Sequence, residues 1–333
     1  MDQKKLWDEL KRNELRRLYL LYGEEKFLVR FYAKSIEEAA RRTQETPLSK
    51  DVYEGNHPVS ELVLAAITFP FLPGRRFLLV KDSKLFATGR KADAEAMAEF
   101  LPQVPDGTII VFTESDVDRR SKLFKIISEI GFAVQSEKQT PDAISKWLVR
   151  QAKSSGVSLS ASVASHIMAT CGYDMMNLHY EMEKLTSYAL TTKAIAREDV
   201  DQVSIPTLEA RIFSLTKAMG QGDAGAALSH YSSLIALRES PIMILSMMIR
   251  QMRLILMVKL GQEKKIPRQK LAQDLRIRDF VINEAMGHGR RFSKAKLLAL
   301  LHDCLDTDVK IKTGRVGDSI GVETLLIRLS GKG

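Results

Sequence analysis

LYLLYGEEK, residues Leu18–Lys26, joins five consecutive apolar or aromatic residues to a glycine. Such a run is typical of a buried strand. After the glycine, Phe27, Leu28, Phe31 and Ile36 recur at the spacing of one helix face. A strand, a glycine turn and a helix form the beginning of a βαβ unit.

The turn differs from the pattern that binds nucleotide phosphates. A phosphate loop reads G-x-x-x-x-G-K-[ST], and its amides surround the phosphate together with the helix N-terminus. Here Gly23 has no second glycine after it before Lys26, and no Ser or Thr follows that lysine. Glu24 and Glu25 would repel a phosphate at the start of the helix. We therefore expect a plain strand–helix turn and no working ATP site.

Strand-like and helix-like segments continue to alternate after this unit. Short apolar runs predict further strands, and segments with helical periodicity separate them. Continuous apolar strands that alternate with helices indicate a mostly parallel sheet covered on both faces. The predicted strands are 51–53, 77–80, 108–112 and 133–134, the predicted helices are 59–67, 92–101 and 119–130, and 83–91 is predicted to be mobile.

A stiff apolar segment, TFPFLPGRR at Thr68–Arg76, follows the predicted helix 59–67. Pro70 and Pro73 lack the amide hydrogen that a continuing helix needs, so the helix should end near Thr68. Phe69, Phe71 and Leu72 then lie on a short tip. From the residues alone, this tip either fills the core or is held out for a partner.

The pattern of apolar residues changes at Thr140, after which we find no strand-like run. The helical patterns 143–153, 160–171 and 174–188 suggest a small helical domain that ends near Pro206. The last third is helical throughout, as in bundles that serve as interaction modules. We predict three domains, 1–138, 139–205 and 206–333.

The net charge of +9 lies entirely in the last third of the chain. Residues 1–205 hold 29 Lys and Arg and 29 Asp and Glu, whereas residues 206–333 hold 21 and 12. A basic domain on a neutral body suits proximity to phosphate backbones. A solvated basic surface explains the same numbers equally well.

Several classes of protein find little support in the sequence. Cys171 and Cys304 lie far apart and read as reduced core thiols of a cytosolic protein. The six histidines are scattered singly, so a helical metal site is not expected, and no G-x-S-x-G nucleophile motif occurs. The N-terminus does not resemble a signal peptide. Charged residues interrupt the apolar run 241–260, so no membrane helix is expected.

Five landmarks in order make this chain resemble the delta subunit of bacterial DNA polymerase III, part of the clamp loader. They are LYLLYGEEK (18–26), FPFLPGRRFLLVKD (69–82), TIIVFTESDVDRRSKLF (108–124), NLHYEMEKLTSY (177–188) and KIKTGRVGDSIGVETLL (310–326). The resemblance covers nearly the whole chain. It implies an α/β AAA+-like N-terminal domain without a working ATP site, a small all-α lid domain and an all-α helical collar domain.

The resemblance also implies a function. In the family, the apolar tip enters a hydrophobic pocket of the sliding clamp, the beta subunit, and holds one ring interface open. The matching positions are Phe69, Pro70, Phe71 and Leu72, with Phe71 and Leu72 as the leading pair. A small preorganised apolar plug loses little entropy on binding. Lys81-Asp82 would end the strand that carries metal-binding acids in active AAA+ ATPases, and only one acid is present.

The implied partners are the clamp, the delta-prime and gamma/tau subunits through the collar, and primer–template DNA within the assembly. No cofactor, metal ion, membrane or catalytic site of its own is implied, although the chain would belong to the cytoplasmic DNA-directed DNA polymerase holoenzyme. Two rivals stay open. One is an active AAA+ ATPase with a degenerate phosphate loop, and the other is a stand-alone helical DNA-binding or adaptor protein.

Overall fold

The computed structural model describes residues 2–44, 46–68, 74–277, 279–290 and 292–330. It divides into two compact units, Met1–Thr140 and Pro141–Gly333. The first unit is α/β and the second is almost entirely helical, so the predicted fold class is confirmed. The further division of the helical part near residue 205 stays a prediction.

Helices and strands alternate through the first unit. Its elements are α1 (Asp2–Lys11), β1 (Leu18–Tyr22), α2 (Lys26–Arg42), β2 (Ser49–Glu54), α3 (Val59–Ile67), β3 (Arg76–Lys81), α4 (Lys91–Phe100), a 3-10 turn (Leu101–Gln103), β4 (Thr108–Glu114), α5 (Lys122–Ile130) and β5 (Phe132–Gln135). Every strand and helix predicted here from periodicity is present, with ends that differ by at most three residues.

All five strands of this unit form one parallel sheet in the order β2-β3-β4-β1-β5. Alternate residues of each central strand face opposite sides. Leu20, Leu78 and Phe112 share a core with Leu62 of α3 and Ile127 of α5. Helix α2 packs against β1, β3 and β4, and α1 packs against β5. The central strands are mostly apolar because helices cover them, whereas the edge strand β2 is exposed at alternate residues.

The prediction of a mobile stretch at 83–91 is wrong for its first half. Ser83, Leu85 and Phe86 are fully buried, and the Phe86 ring meets the Phe112 ring edge to face, with centroids 5.2 Å apart. Leu85 and Phe86 are flanked by polar and small residues. Two apolar residues in such surroundings give no periodic pattern, so the sequence did not indicate that they belong to the core.

The second unit contains eleven helices among the residues described there. Its elements are α6 (Pro141–Ser154), β6 (Ser158–Leu159), α7 (Ala161–Cys171), α8 (Met175–Tyr188), β7 (Ala194–Ile195), α9 (Arg197–Val203), α10 (Leu208–Gln221), α11 (Ala224–Ala236), α12 (Pro241–Glu263), α13 (Arg268–Leu275), α14 (Asp279–Gly289), α15 (Lys294–Lys312) and α16 (Asp318–Ser330). Many begin at a side-chain cap that accepts a hydrogen bond from a free amide. The caps are Ser160, Asp174, Thr207, Asp223 and Ser293.

The expectation that no strand follows residue 140 is wrong in one detail. Strands β6 and β7, two residues each, pair in parallel with Leu159 opposite Ile195. Two residues are too few to give a periodic signal in a sequence.

Helices α10–α16 surround one core whose close packing depends on glycine. A Cβ atom at Gly220 would lie 2.6 Å from the Phe292 ring, and one at Gly261 would lie 2.8 Å from Leu271. Of the described helices, only α12 is long and apolar enough to cross a membrane. Its residues Ile244 and Met248 are fully buried inside the bundle.

Both cysteines are buried and free, as predicted. Burial raises the pKa of the Cys171 thiol to about 11 and that of Cys304 to about 12. Both are therefore protonated and unreactive near neutral pH.

Candidate functional site

The predicted clamp-binding residues, Phe69, Pro70, Phe71 and Leu72, lie outside the described residues. Their interpretation therefore rests on what holds the chain on either side of them. Helix α3 precedes the segment and β3 follows it. Because β3 begins at Arg76, the described chain resumes at the edge of the sheet where the parallel strands start.

The last turn of α3 is tied down by its carbonyl groups. The Thr68 amide donates to the Leu64 carbonyl oxygen at 3.0 Å. The Thr108 hydroxyl, buried at the start of β4, donates to the Ala66 carbonyl oxygen at 2.9 Å. Helix ends leave carbonyls without helical partners, and here a tertiary contact satisfies the carbonyl of Ala66. The end of α3 is thus fixed to the sheet.

Arg76 connects the two sides of the segment. Its Nη1 donates to the Thr68 carbonyl oxygen at 3.3 Å, and its Nη2 lies 2.5 Å from Asp51 Oδ2 on β2. The neighbouring Arg75 amide donates to Gln44 Oε1 at 2.6 Å. The side chain of Arg76, the first residue of β3, therefore links Thr68, the last residue described before the segment, to Asp51 of β2. The sequence alone does not assign Arg76 a role. Its position directly before the buried run Phe77–Val80 is the only feature that could have indicated one.

Helix α3 also carries apolar side chains in solvent. Leu64 is 64% exposed and Ile67 is 46% exposed. They lie three residues apart on one helix face, directly before the predicted tip. Single exposed apolar residues are ordinary, but here two precede a further apolar segment.

A crevice of about 660 Å³ lies at the opposite edge, where β1, β4 and β5 end. Ligands of open parallel sheets bind at this edge. The residues lining it are Tyr22, Gly23, Glu24, Ser115, Asp116, Val117, Arg119, Gln135, Glu137 and Lys138.

Backbone groups, rather than an open loop, occupy the turn after β1. The Glu25 amide donates to the Ser136 carbonyl oxygen at 3.0 Å, and the Ser136 amide donates to the Tyr22 carbonyl oxygen at 2.7 Å. Gly23 has φ of +125°, and a Cβ atom there would lie 2.4 Å from the Ser136 oxygen. Gly23 is thus required for the close approach of the chain after β5. An amide that would face a phosphate in a phosphate loop already has a protein partner.

The charged side chains of the crevice do not favour an anion. Glu24, Asp116 and Glu137 contribute three acids against two cations. The guanidinium of Arg119 lies over the Tyr22 ring, 5.6 Å from its centroid, and hydrogen-bonds Gln135. In this part of the chain the crevice has neither the cradle nor the charge for a triphosphate.

A buried carboxylate at the end of β4 organises the loop after β3. Glu114 accepts hydrogen bonds from the Ser83 amide at 2.9 Å, the Ser83 hydroxyl at 2.5 Å and the Lys84 amide at 3.2 Å. Burial raises the pKa of Glu114. Asp82, the single acid noted at this strand end, has φ of +45° and accepts a hydrogen bond from Ser115. Glu114 thus holds loop backbone and Asp82 holds a side-chain hydroxyl, and both contacts are structural.

The described residues also lack a cluster of potential metal ligands. No set of three or more His, Cys, Asp and Glu side chains is placed there to hold a metal ion.

The parallel sheet in the order β2-β3-β4-β1-β5, followed by a helical unit, defines the class as an AAA+-like α/β protein. A family model described as "DNA polymerase III, delta subunit" matches residues 19–135, and one described as its C-terminal domain matches residues 209–329. The chain belongs to the DNA polymerase III delta subunit family, and thus to the clamp loader.

Individual relatives agree with this assignment. The chain is 24% identical to DNA polymerase III subunit delta of Bacillus subtilis (strain 168), over 97% of this chain and 96% of that one. It is 21% identical to the probable subunit delta of Aquifex aeolicus (strain VF5), over 70% of this chain and 67% of that one. The solved structure of the Bacillus subtilis DNA clamp loader delta protein (YqeN) aligns with a TM-score of 0.71 over 99% of both chains, at 24% identity.

Proposed function

We propose that this chain binds the sliding clamp through Phe69, Pro70, Phe71 and Leu72 and holds one ring interface open while the ring is loaded on primed DNA. The observation that carries the proposal is the anchoring of both sides of this segment by Arg76, Thr68 and Asp51. A binding segment with fixed ends loses less entropy on association than a free loop. The exposed Leu64 and Ile67 extend its apolar character along α3.

The proposed mechanism is mechanical and takes place in the cytoplasm. ATP bound by neighbouring subunits positions this chain so that Phe71 and Leu72 reach the clamp. The ring opens, DNA enters, hydrolysis elsewhere withdraws the segment, and the ring closes. The engaged amide of Glu25 and the acidic crevice support a role without hydrolysis by this chain.

Assembly with the other loader subunits takes place through the C-terminal helices. Helix α15 exposes Leu298, Leu305 and Val309 at 50%, 59% and 47%, and α16 exposes Ile320 and Ile327 at 63% and 53%. The spacings of seven and four residues keep each set on one stripe of its helix, as in the seam of paired helices. Helices of the delta-prime and gamma/tau subunits are the proposed partners of these stripes.

The test is the double variant Phe71→Ala/Leu72→Ala, titrated against a purified sliding clamp by calorimetry. If these residues are the plug, clamp affinity falls by about 100-fold or more, because buried anchors contribute about 2 kcal/mol each. The matched control is Val52→Ala/Ile130→Ala, two exposed apolar residues of the same unit, which leaves affinity unchanged. Equal affinity of the plug variant and the wild type would contradict the proposal.

Two rival functions are separated by simple titrations. An active AAA+ ATPase binds ATP with magnesium, whereas we expect no heat of binding from this chain. A stand-alone DNA-binding protein binds duplex DNA tightly at physiological salt and ignores the clamp. The same clamp titration therefore distinguishes that rival from our proposal.

A further inference from the structure

The excess positive charge of the chain is confined to one short segment. Residues 250–296 contain 13 Lys and Arg against four Asp and Glu, a net charge of +9. The remaining residues contain 37 Lys and Arg and 37 Asp and Glu, so they are neutral in sum. A charge excess this local creates a surface field where a spread excess would not.

Contacts between helix ends hold this segment together in space. Lys259 Nζ on α12 donates to the Gly289 carbonyl oxygen at the end of α14, at 3.1 Å. Nζ of Lys294, at the start of α15, lies 3.3 Å from Oε2 of Glu263, at the end of α12. Arg268 on α13 hydrogen-bonds Asn283 on α14. The ends of α12 and α14 and the starts of α13 and α15 therefore form one group.

Five exposed cations at these helix ends, together with Arg276 directly after α13, form what we call the basic patch. Its members are Lys264, Lys265, Arg268, Lys270, Arg276 and Arg290. Within the described residues of the segment, the ion pair present is Lys294 with Glu263, which includes none of the six. By contrast, Lys310 and Lys312 of α15 pair with Asp306 and Asp308 on their own helix.

A purely structural explanation covers part of this patch. Lys264 and Lys265 follow the last turn of α12, where cations complement the helix dipole. Arg268 and Lys270 lie in the first turn of α13, where the dipole disfavours cations by the same reasoning. Helix stability therefore does not account for the patch as a whole.

We propose that the basic patch binds the phosphate backbone of duplex DNA. Lys and Arg at such density bind phosphates without reading sequence. The segment contains two Phe, Tyr or Trp residues, Phe280 and Phe292. Single-strand sites characteristically stack bases on exposed aromatic rings. Phe292 is buried against Gly220 and cannot stack a base in this way. The inference rests on the proposed function, since a loader places its ring on primed duplex.

The test measures binding of the full chain to a fluorescein-labelled random duplex by anisotropy, between about 50 and 200 mM salt. The variant is Lys264→Gln/Lys265→Gln/Lys270→Gln/Arg290→Gln. Each phosphate contact contributes about −0.9 to the slope of log K against log salt, so the slope becomes less steep by about 3 to 4. Affinity at low salt falls by about tenfold or more.

The control variant removes the same charge elsewhere, at the exposed residues Lys122, Lys125, Lys153 and Lys217, each changed to Gln. It keeps the wild-type affinity and slope if the patch is the site. The inference is overturned if wild-type chain does not bind duplex at low salt or if the control loses affinity equally. It is also overturned if phosphatidylglycerol vesicles, and not DNA, distinguish the patch variant from wild type.

Clamp titration of the same variants separates this inference from the proposed function. The basic-patch variant binds the clamp like the wild type, because the patch and Phe71 lie in different units. If the basic-patch variant binds DNA like the wild type and clamp binding is intact, only the inference about the patch is rejected. An unaltered clamp affinity in Phe71→Ala/Leu72→Ala rejects the proposed function.

Discussion

Glu9 is a buried carboxylate that fixes α1 to the edge of the sheet. Arg16 donates to it through Nε at 2.9 Å and through Nη2 at 2.6 Å, a bidentate geometry that strengthens both bonds. Arg16 also donates to the Gly131 carbonyl oxygen at 3.0 Å and lies over the Phe132 ring, 4.8 Å from its centroid. One ion pair thus joins α1, the start of β1 and β5.

The Arg16 hydrogen bonds hold the pKa of Glu9 below its usual range. A lowered pKa in the folded state stabilises the protein above the unfolded pKa, about 4.3 for Glu, and this stabilisation is lost as pH falls through the folded pKa. Glu9→Gln should therefore lower the free energy of unfolding by about 1–2 kcal/mol at pH 7, since Arg16 is partly exposed. The deficit should shrink below about pH 4.

Urea denaturation at pH 7 and at about pH 3.5 measures this difference. Glu14→Gln is the matched control, because Glu14 pairs with Arg12 where both side chains are more than half exposed. Its effect should stay within about 0.5 kcal/mol. A Glu9→Gln deficit of the same size at both pH values would show that packing, and not charge, is responsible.

Single residues were the hardest part of the molecule to predict. The tie from Arg76 to Thr68 and the three hydrogen bonds to Glu114 join positions 8 and about 31 residues apart. Periodicity carries no information about which polar side chain meets which backbone group. The apolar segment at Phe69 was visible in the sequence because proline and glycine act locally, while its anchors were not.

Elements, by contrast, could be predicted well from local pattern. β1, α3 and β4 are buried on enough positions for their periods to be read, and β2 was found from three residues although its alternate side chains are exposed. β6 and β7 were missed because a two-residue pair depends on tertiary contact alone.

The exposed stripe of α15 belongs to this scale, and it gives the next prediction. Leu298→Ser/Leu305→Ser should weaken assembly with the delta-prime and gamma/tau subunits by about tenfold or more, since two apolar anchors are lost. Because both side chains are half exposed or more in the free chain, the free energy of unfolding should change by less than about 0.5 kcal/mol.

Size-exclusion chromatography of the mixed subunits over a range of concentrations measures the change. Leu190→Ser, a similarly exposed leucine near the end of α8, is the control and should assemble normally. Wild-type assembly by Leu298→Ser/Leu305→Ser would rule out this face of α15.

At the scale of the whole molecule, the proposed clamp-binding residues and their anchors all belong to one unit. Asp51, Thr68, Arg76 and Thr108 lie within Met1–Thr140. A fragment of residues 1–140 should therefore unfold cooperatively and bind the clamp within about twofold of the full chain, as expected for independent parts. Thermal unfolding by circular dichroism and clamp calorimetry test both statements. A folded fragment with no affinity for the clamp would mean that the helical unit contributes to the interface.

The tight junction at Gly23 has a consequence for attempts to repair the degenerate turn. Introducing the absent glycine, lysine and serine would not free the Glu25 amide, because the carbonyl oxygen of Ser136 already accepts its hydrogen bond. Building a phosphate-binding turn in this scaffold would therefore also require rerouting the polypeptide beyond β5. Under the proposed function, this backbone geometry leaves ATP binding to the neighbouring subunits.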